Sequence, residues 1–182
     1  MDEAYWAFAT FIGDPLLWTA LIIALVAIYG FLGGKRPIGK AKARERRILR
    51  GFLLLAIPSL LLAFLGAEAL KLAFQVPRSC VPCPAAGCNP YCPVTFSFPS
   101  GHTATIASIV TAVVLLLRKR RYLLLYALPM IVGASRMTLG VHQLSDVFWG
   151  FVYGVAATLL VWRFRRRIYG WEEEILLGAG ER

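Results

Sequence analysis

The chain has 182 residues, of which 58% are hydrophobic, and it carries a formal net charge of +10 with a mean hydropathy of +0.64. This length allows a single domain over residues 1–182. The hydropathy excludes an ordinary soluble globular protein, because roughly 20 apolar residues are enough to span a bilayer. The charge would favour nucleic-acid binding in a soluble chain, but most basic residues lie in clusters between apolar stretches, so no nucleic-acid partner is expected.

The N-terminal residues predict a short helix at the membrane interface. Ala4–Ile12 is too short to span a bilayer and contains four aromatic side chains, which favours a helix lying in the headgroup region. Asp2 and Glu3 stand where a signal peptide carries positive charge, so a cleaved signal peptide is not expected. Asp14 precedes Pro15 and is predicted to cap the helix that follows.

Further along, apolar stretches predict an all-α, polytopic membrane bundle of about five transmembrane helices. The third stretch is the shortest, and Pro58 and Pro129 are predicted to kink two of the others. The five stretches are Leu16–Leu32, Phe52–Phe74, Thr103–Leu117, Tyr122–Leu139 and Leu144–Trp162.

The basic clusters predict the orientation of this bundle. Of 20 Lys and Arg residues, eight lie in Lys35–Arg50, four in Arg118–Arg121 and four in Arg163–Arg167. With five spans, all three clusters fall on one side, which the positive-inside rule makes the cytoplasm, with the N-terminus outside and the C-terminus inside. The clusters also suit contacts with anionic membrane lipids. The acidic residues 171–182 are predicted to form a short cytoplasmic tail.

The remaining basic residues, apart from the C-terminal Arg182, fall at the external ends of the predicted spans. Both histidines of the chain fall there as well. Because ionisable groups at membrane depth usually face a cavity and a partner, this convergence predicts one external polar site. A lysine at this depth also fits side chains that extend to the headgroups. The predicted members of the site are Lys71, Arg78, His102, Arg136, His142 and Asp146.

All four cysteines lie in the external loop predicted over residues 75–100. The spacing of Cys80, Cys83, Cys88 and Cys92 fits a four-thiolate zinc site. The predicted exposure to an oxidising compartment favours two disulfides over zinc or free thiols. Three pairings are possible, and the sequence does not choose among them. The loop is expected to be held by disulfides and to cover one side of the polar site.

The residues before the third stretch predict an anion site. Ser100 is a candidate N-cap, and Gly101 allows a ligand to approach the backbone closely. Free amides and the positive end of the helix dipole attract anions, although Ser-Gly alone also fits an ordinary helix start. Three cations, Lys71, Arg78 and Arg136, placed near this helix start would bind a phosphate or pyrophosphate.

His142 and Asp146 are separated by four residues. If the fifth span is already helical at His142, the carboxylate lies on the same helix face and bonds one imidazole nitrogen. The other nitrogen is then free to act as a nucleophile or a base. The neighbouring cations argue against a metal. Glu68, one turn before Lys71, is a candidate partner for that lysine.

Three segments of the chain resemble the signature motifs of the type 2 phosphatidic acid phosphatase (PAP2) superfamily of integral membrane lipid phosphatases. The motifs are a lysine, six residues and Arg-Pro; then Pro-Ser-Gly-His; then Ser-Arg, five residues, His, three residues and Asp. The second and third are matched in full, and the first has Ser79 in place of its proline. The matching residues are Lys71 with Arg78, Pro99–His102, Ser135 with Arg136, and His142 with Asp146.

The resemblance implies a PAP2-like core and a two-step phosphoryl transfer that needs no metal or other cofactor. His142 would attack phosphorus and form a phosphohistidine, with Asp146 orienting its ring. His102 would protonate the leaving oxygen and then activate water. The residues implied in binding the phosphoryl oxygens are Lys71, Arg78, Ser100, Gly101, Ser135 and Arg136.

The expected substrate is a lipid phosphate at the outer membrane face. A polyprenyl pyrophosphate such as undecaprenyl pyrophosphate is favoured. Phosphatidylglycerophosphate and phosphatidic acid are the alternatives. A phosphotransferase with the same site, and a membrane protein that only binds lipid phosphate, are rival functions. The sequence leaves the oligomeric state open.

Overall fold

The computed structural model describes residues 40–80 and 92–169, together with residues 11, 14, 17–21 and 24. Within these residues every regular element is a helix and there is no strand, which confirms the all-α prediction. The predicted interfacial helix Ala4–Ile12, most of the first predicted span and the tail 171–182 lie outside the described residues. The helices are α1 (Lys40–Phe74), α2 (Gly101–Leu117), the 3₁₀ helix η1 (Arg120–Tyr126), α3 (Ala127–Thr138) and α4 (Leu144–Tyr169).

Two of the described helices are long and apolar enough to cross a bilayer. Leu49–Phe74 in α1 and Leu144–Arg165 in α4 have mean hydropathies of 2.1 and 1.6, and 39% of the most apolar window of each is buried inside the protein. Most of their apolar surface therefore faces outward, which suits contact with lipid. Helix α2 is apolar but shorter. The count of five spans stays a prediction.

The fourth predicted span, Tyr122–Leu139, is divided in the structure. A 3₁₀ helix ends at Tyr126, and α3 begins at Ala127. Pro129 lies in the first turn of α3, where its missing N–H costs no hydrogen bond. In an α-helix its ring would clash with the carbonyl of the residue four positions earlier. The α-helical geometry therefore cannot continue far before Pro129. Pro58, by contrast, lies within the uninterrupted α1.

Helix α2 lies at the centre and packs against α1, α3 and α4. Its crossing with α4 is unusually close at two glycines. A Cβ at Gly150 would lie 2.6 Å from the carbonyl oxygen of Ser100, and one at Gly154 would collide with the backbone of Ala104. These glycines let the two helices meet backbone to backbone. The N-terminal ends of α2 and α4 are joined there by a hydrogen bond of 2.9 Å from the Ser100 N–H to the Asp146 carbonyl.

A short turn links α3 to α4. Gly140 has a φ of 69°, in the left-handed region that favours glycine. The N–H of Val141 then donates to the carbonyl of Arg136 at 3.2 Å, closing the end of α3. This turn places His142 directly before α4, beside the start of α2.

Candidate active site

The predicted polar residues meet at one end of the bundle. Lys71 comes from the last turn of α1, Ser135 and Arg136 from the end of α3, and Asp146 from the first turn of α4. These four side chains are buried, as are Arg78, Ser100 and His142; His102 is half-buried. The charged residues and histidines of the predicted site therefore lie near one another, beside the start of α2.

His142 and Asp146 are in contact, although the helical reason predicted for their contact is wrong. The Nδ1 of His142 lies 3.3 Å from Oδ2 of Asp146, but α4 begins only at Leu144. The same carboxylate oxygen accepts the N–H of Gln143 at 2.9 Å. Asp146 therefore binds the turn that precedes its own helix, and this interaction holds the imidazole.

Arg78 contacts the other nitrogen of this ring and thereby defines its protonation. Its Nη1 lies 3.1 Å from Nε2 of His142 and donates to the carbonyl of Val141 at 3.0 Å. A guanidinium only donates hydrogen bonds, so Nε2 of His142 must present its lone pair. The proton of the neutral ring is then on Nδ1 and is donated to Asp146. This tautomer is the one that a nucleophilic Nε2 requires.

Burial lowers the pKa of His142 to about 4, with Arg78 and Arg136 acting in the same direction and the Asp146 hydrogen bond opposing them. We therefore expect His142 to remain neutral down to about pH 4. The chain has two histidines, so ¹⁵N NMR of histidine-labelled protein, assigned with the His102→Gln variant, reports His142 directly. A protonated Nδ1 at neutral pH and titration near pH 4 are expected; titration at the ordinary value of 6.5 would contradict this environment.

Arg78 is held firmly on the side opposite His142. Its Nε donates to the carbonyl of Thr95 at 2.7 Å, and Nη2 donates to the hydroxyl of the same residue at 3.0 Å. Burial lowers the pKa of Arg78, while Asp146 and Glu68 oppose this shift. An arginine keeps its charge under such conditions, so it offers a fixed cation beside the imidazole.

Arg136 offers a second buried cation. Its side chain is 5% exposed, and its Nε has no hydrogen-bond partner among the described residues. Arg78 and Asp14 are close enough to interact with it electrostatically. Asp14 also accepts the N–H of Leu17 at 3.3 Å, which confirms the predicted cap. A buried donor without a partner is costly, and the oxygen of a bound anion would satisfy it.

The start of α2 has the predicted capping geometry. Ser100 is the N-cap, and its hydroxyl accepts hydrogen bonds from the N–H and the hydroxyl of Thr103. A Cβ at Gly101 would lie 3.6 Å from Nζ of Lys71, so the ammonium lies beside the first residue of the helix. His102, in the same turn, is within electrostatic range of Lys71. The cation and the helix dipole therefore act on one region.

Lys71 is paired with Glu68 and does not extend to the headgroups. Its Nζ lies 2.6 Å from Oε1 of Glu68, and the side chain is 9% exposed, against 38% for Glu68. The candidate pair is confirmed, and the alternative of an extended lysine is wrong because the ammonium is turned inward. Glu68 thus stands at the open edge of the site.

The loop predicted over residues 75–100 is closed by one described disulfide, between Cys80 and Cys92. This bond excludes a zinc site made of all four thiolates, since two of them are consumed. Cys83 and Cys88 lie outside the described residues, so the second predicted disulfide stays a prediction. Ser79, which replaces the proline of the first motif, donates to the carbonyl of Gly140 at 3.3 Å. That bond links the loop to the turn before His142.

Sequence reasoning missed four groups, from three residues, that hold the charged side chains. The Thr95 carbonyl and hydroxyl hold Arg78, the Val141 carbonyl shares its Nη1, and the Gln143 amide shares the carboxylate of Asp146. Most of these are backbone groups, which every residue type carries. No sequence pattern distinguishes them.

The sequence profile of the PAP2 superfamily matches residues 52–169, which is more than half of the chain. Phosphatidylglycerophosphatase B of Bacillus subtilis (strain 168) is 33% identical over 84 residues, equal to 41% of this chain and 41% of that protein. The chain therefore spans about two fifths of the length of this curated relative.

Two solved structures share the fold. The crystal structure of Aquifex aeolicus LpxE has a TM-score of 0.64 at 21% identity, over 88% of this chain and 85% of that one. That of a transmembrane PAP2-type phosphatidylglycerolphosphate phosphatase from Bacillus subtilis has a TM-score of 0.62 at 22% identity, over 93% and 79%. These similarities confirm a PAP2-like helical core.

Proposed function

Because the chain belongs to the PAP2 superfamily, we propose that it hydrolyses a lipid phosphate through a phosphohistidine on His142. One observation carries the proposal: Nε2 of His142 lies 3.1 Å from a guanidinium nitrogen of Arg78, while Nδ1 faces Asp146. The imidazole is thereby oriented as a nucleophile beside a cation that can bind the incoming phosphate.

In the first step, the lone pair of Nε2 of His142 forms a bond to phosphorus as the bond from phosphorus to the ester oxygen breaks. The Nδ1 proton of the resulting imidazolium stays on its bond to Asp146. His102 gives a proton to the leaving alkoxide. In the second step, His102 takes a proton from water, the hydroxide attacks phosphorus, and the P–N bond breaks. Inorganic phosphate leaves, and both histidines regain their starting state.

The phosphoryl oxygens are bound by the cations and by the start of α2. During binding, the Nη1 donor of Arg78 transfers from the lone pair of His142 to a phosphate oxygen, which frees the nucleophile. The unpartnered Nε of Arg136 gains an acceptor. Once the phosphate is bound, these donors are already in place to offset the charge that develops in the transition state. The other proposed contacts come from Lys71, Ser100, the Gly101 amide and Ser135.

This active site lies, we propose, on the outer face of the cell membrane, with the C-terminus in the cytoplasm. The support is the distribution of basic residues: Arg118–Arg121 follows the opposite end of α2 from His102. An impermeant reagent applied to intact cells should fail to reach a tag inserted at residue 40. Labelling of that tag would show that the proposed orientation is wrong.

Two substrate classes fit the site. The preference for a polyprenyl pyrophosphate stays a prediction from the sequence. Phosphatidylglycerophosphate is the second candidate, and Glu68 favours it because a carboxylate 2.6 Å from Lys71 opposes additional negative charge. The Bacillus subtilis relative found by sequence and the Bacillus subtilis structure found by fold are both named for that reaction.

The decisive experiment measures phosphate release by the purified protein from a panel of lipid monophosphates and pyrophosphates, without any acceptor. The His142→Ala variant is the control, and a chelator arm tests metal independence. Release that depends on His142 and persists with chelator supports the proposal. No release without an acceptor indicates a transferase, release that His142→Ala retains indicates contamination, and inhibition by chelator overturns the metal-free mechanism.

The same panel tests Glu68. Replacing Glu68 with glutamine removes the negative charge at nearly constant size and is expected to raise kcat/KM for pyrophosphates relative to monophosphates by roughly threefold to tenfold. Glu68→Asp, which keeps the charge, is the matched control and should retain the wild-type ratio. If the ratio of kcat/KM for pyrophosphates to that for monophosphates is the same in Glu68→Gln and wild type, Glu68 does not select the substrate.

A further inference from the structure

The segment 92–97, which we term the strap, connects the disulfide to the residues before α2. Thr95 in this strap contacts Arg78 twice: its carbonyl accepts from Nε at 2.7 Å, and its hydroxyl accepts from Nη2 at 3.0 Å. One edge of the guanidinium is therefore fully used by a single residue. The remaining nitrogen, Nη1, is left for the catalytic ring.

The strap is itself fixed at both ends. Cys92 at its start is bonded to Cys80, two residues after Arg78, and the N–H of Ser97 at its end donates to the carbonyl of Val76 at 2.9 Å. The chain before and after Arg78 is thus tied to the chain before and after Thr95. Both ends of the strap that carries Thr95 are therefore anchored to the segment that carries Arg78.

We propose that Thr95 is a positioning residue that holds the Arg78 guanidinium against Nε2 of His142, and that the Cys80–Cys92 disulfide keeps Thr95 in place. This inference rests on the proposed function. Arginine has many rotamers, and fixing one in solution costs entropy at the moment of reaction. A guanidinium fixed beforehand offers its charge to the transferring phosphoryl group without that cost.

Because Thr95 is exposed, a positioning role can be tested separately from a contribution to the stability of the fold. Its side chain is exposed, in contrast to Arg78, which is 5% exposed. Removing the hydroxyl of Thr95 leaves no buried cavity, so the folded state should lose little stability. The expected loss is confined to the Nη2 hydrogen bond, because the carbonyl of residue 95 is retained in every substitution.

The test compares Thr95→Val, which removes the hydroxyl at constant shape, with Thr95→Ser, which keeps it. In single-turnover experiments we expect Thr95→Val to form the phosphoenzyme about tenfold more slowly, the effect of one hydrogen bond to a charged group. KM should change less than kcat, and Thr95→Ser should recover most of the rate. The thermal midpoints of the two variants should agree.

The disulfide is tested with the Cys80→Ser/Cys92→Ser variant, alone and combined with Thr95→Val. If the bond acts through Thr95, the rate losses are not additive, and the combined variant is no slower than the slower parent. Additive losses overturn the coupling. Equal rates in Thr95→Val and Thr95→Ser overturn the role of Thr95. A wild-type protein that forms no phosphoenzyme contradicts the proposed function instead, so the two failures are distinct.

Discussion

Replacing His142 with alanine is expected to lower phosphate release by about four to six orders of magnitude, with the helical fold retained. The reason is that the variant lacks the only group placed to form the covalent intermediate in the proposed mechanism. The measurement is phosphate release, together with trapping of labelled phosphoenzyme from a substrate carrying ³²P. A P–N bond is lost in acid and persists in base, which distinguishes phosphohistidine from a phosphoester.

The control for this experiment is Asp146→Asn, which keeps the size of the side chain. The amide presents a donor or a weaker acceptor to Nδ1 of His142, so the preferred tautomer is disturbed while the nucleophile remains. We expect a loss of about 10³–10⁴-fold, with some labelled enzyme still formed. A wild-type enzyme that turns over normally, with no label trapped on it or on His102→Ala, would contradict the covalent mechanism.

Charge placement made most of the site predictable. Lys71, Arg78 and Arg136 stand outside the three basic clusters, and the structure brings these cations to one end of the bundle beside His142. A buried cation needs a partner or a ligand, so its presence in an apolar sequence marks a functional position. That reasoning requires no knowledge of how the helices pack.

The interactions that hold these groups were less predictable, because they depend on tertiary geometry. The sequence gives Thr95 no feature that sets it apart from other threonines; its contact with Arg78 follows from a strap closed by Cys80–Cys92. That pairing was one of three allowed. The contact of His142 with Asp146 was predicted, but its cause is a turn before α4 and not a shared helix face.

The helices show the same division between local and tertiary causes. Apolar length predicted α1, α2 and α4 well, since a continuous apolar run has few alternatives to a helix in a membrane. The stretch ending at Leu139 was read as one element because hydropathy does not register where Pro129 stops the α-helical hydrogen bonding. The close approach of α2 and α4 at Gly150 likewise becomes visible only in three dimensions.

Replacing His102 with alanine is expected to slow hydrolysis of an alkyl lipid phosphate by about 10²–10⁴-fold, the usual range for a general acid or base. The two steps should respond differently to the choice of substrate. The phenolate of an aryl phosphate with an acidic phenol leaves without being protonated. The first step therefore proceeds in the variant. The second step still needs a base for water. The variant should therefore give a burst of phenol and accumulate phosphoenzyme.

Measuring phenol release and label on the enzyme in the same reaction separates these steps. The His102→Ala/His142→Ala double variant should show neither a burst nor label, because the nucleophile is absent. If His102→Ala hydrolyses the alkyl lipid at the wild-type rate, His102 is not the acid. If it turns over the aryl phosphate without a burst and loses its label as fast as wild type, another group activates water, and His102 serves only the first step. A Cβ at Gly101, next to His102, would lie 3.6 Å from Nζ of Lys71 and 3.8 Å from Oε1 of Glu68, and the lifetime of the phosphohistidine in the variant reports whether these neighbours can substitute for the missing imidazole.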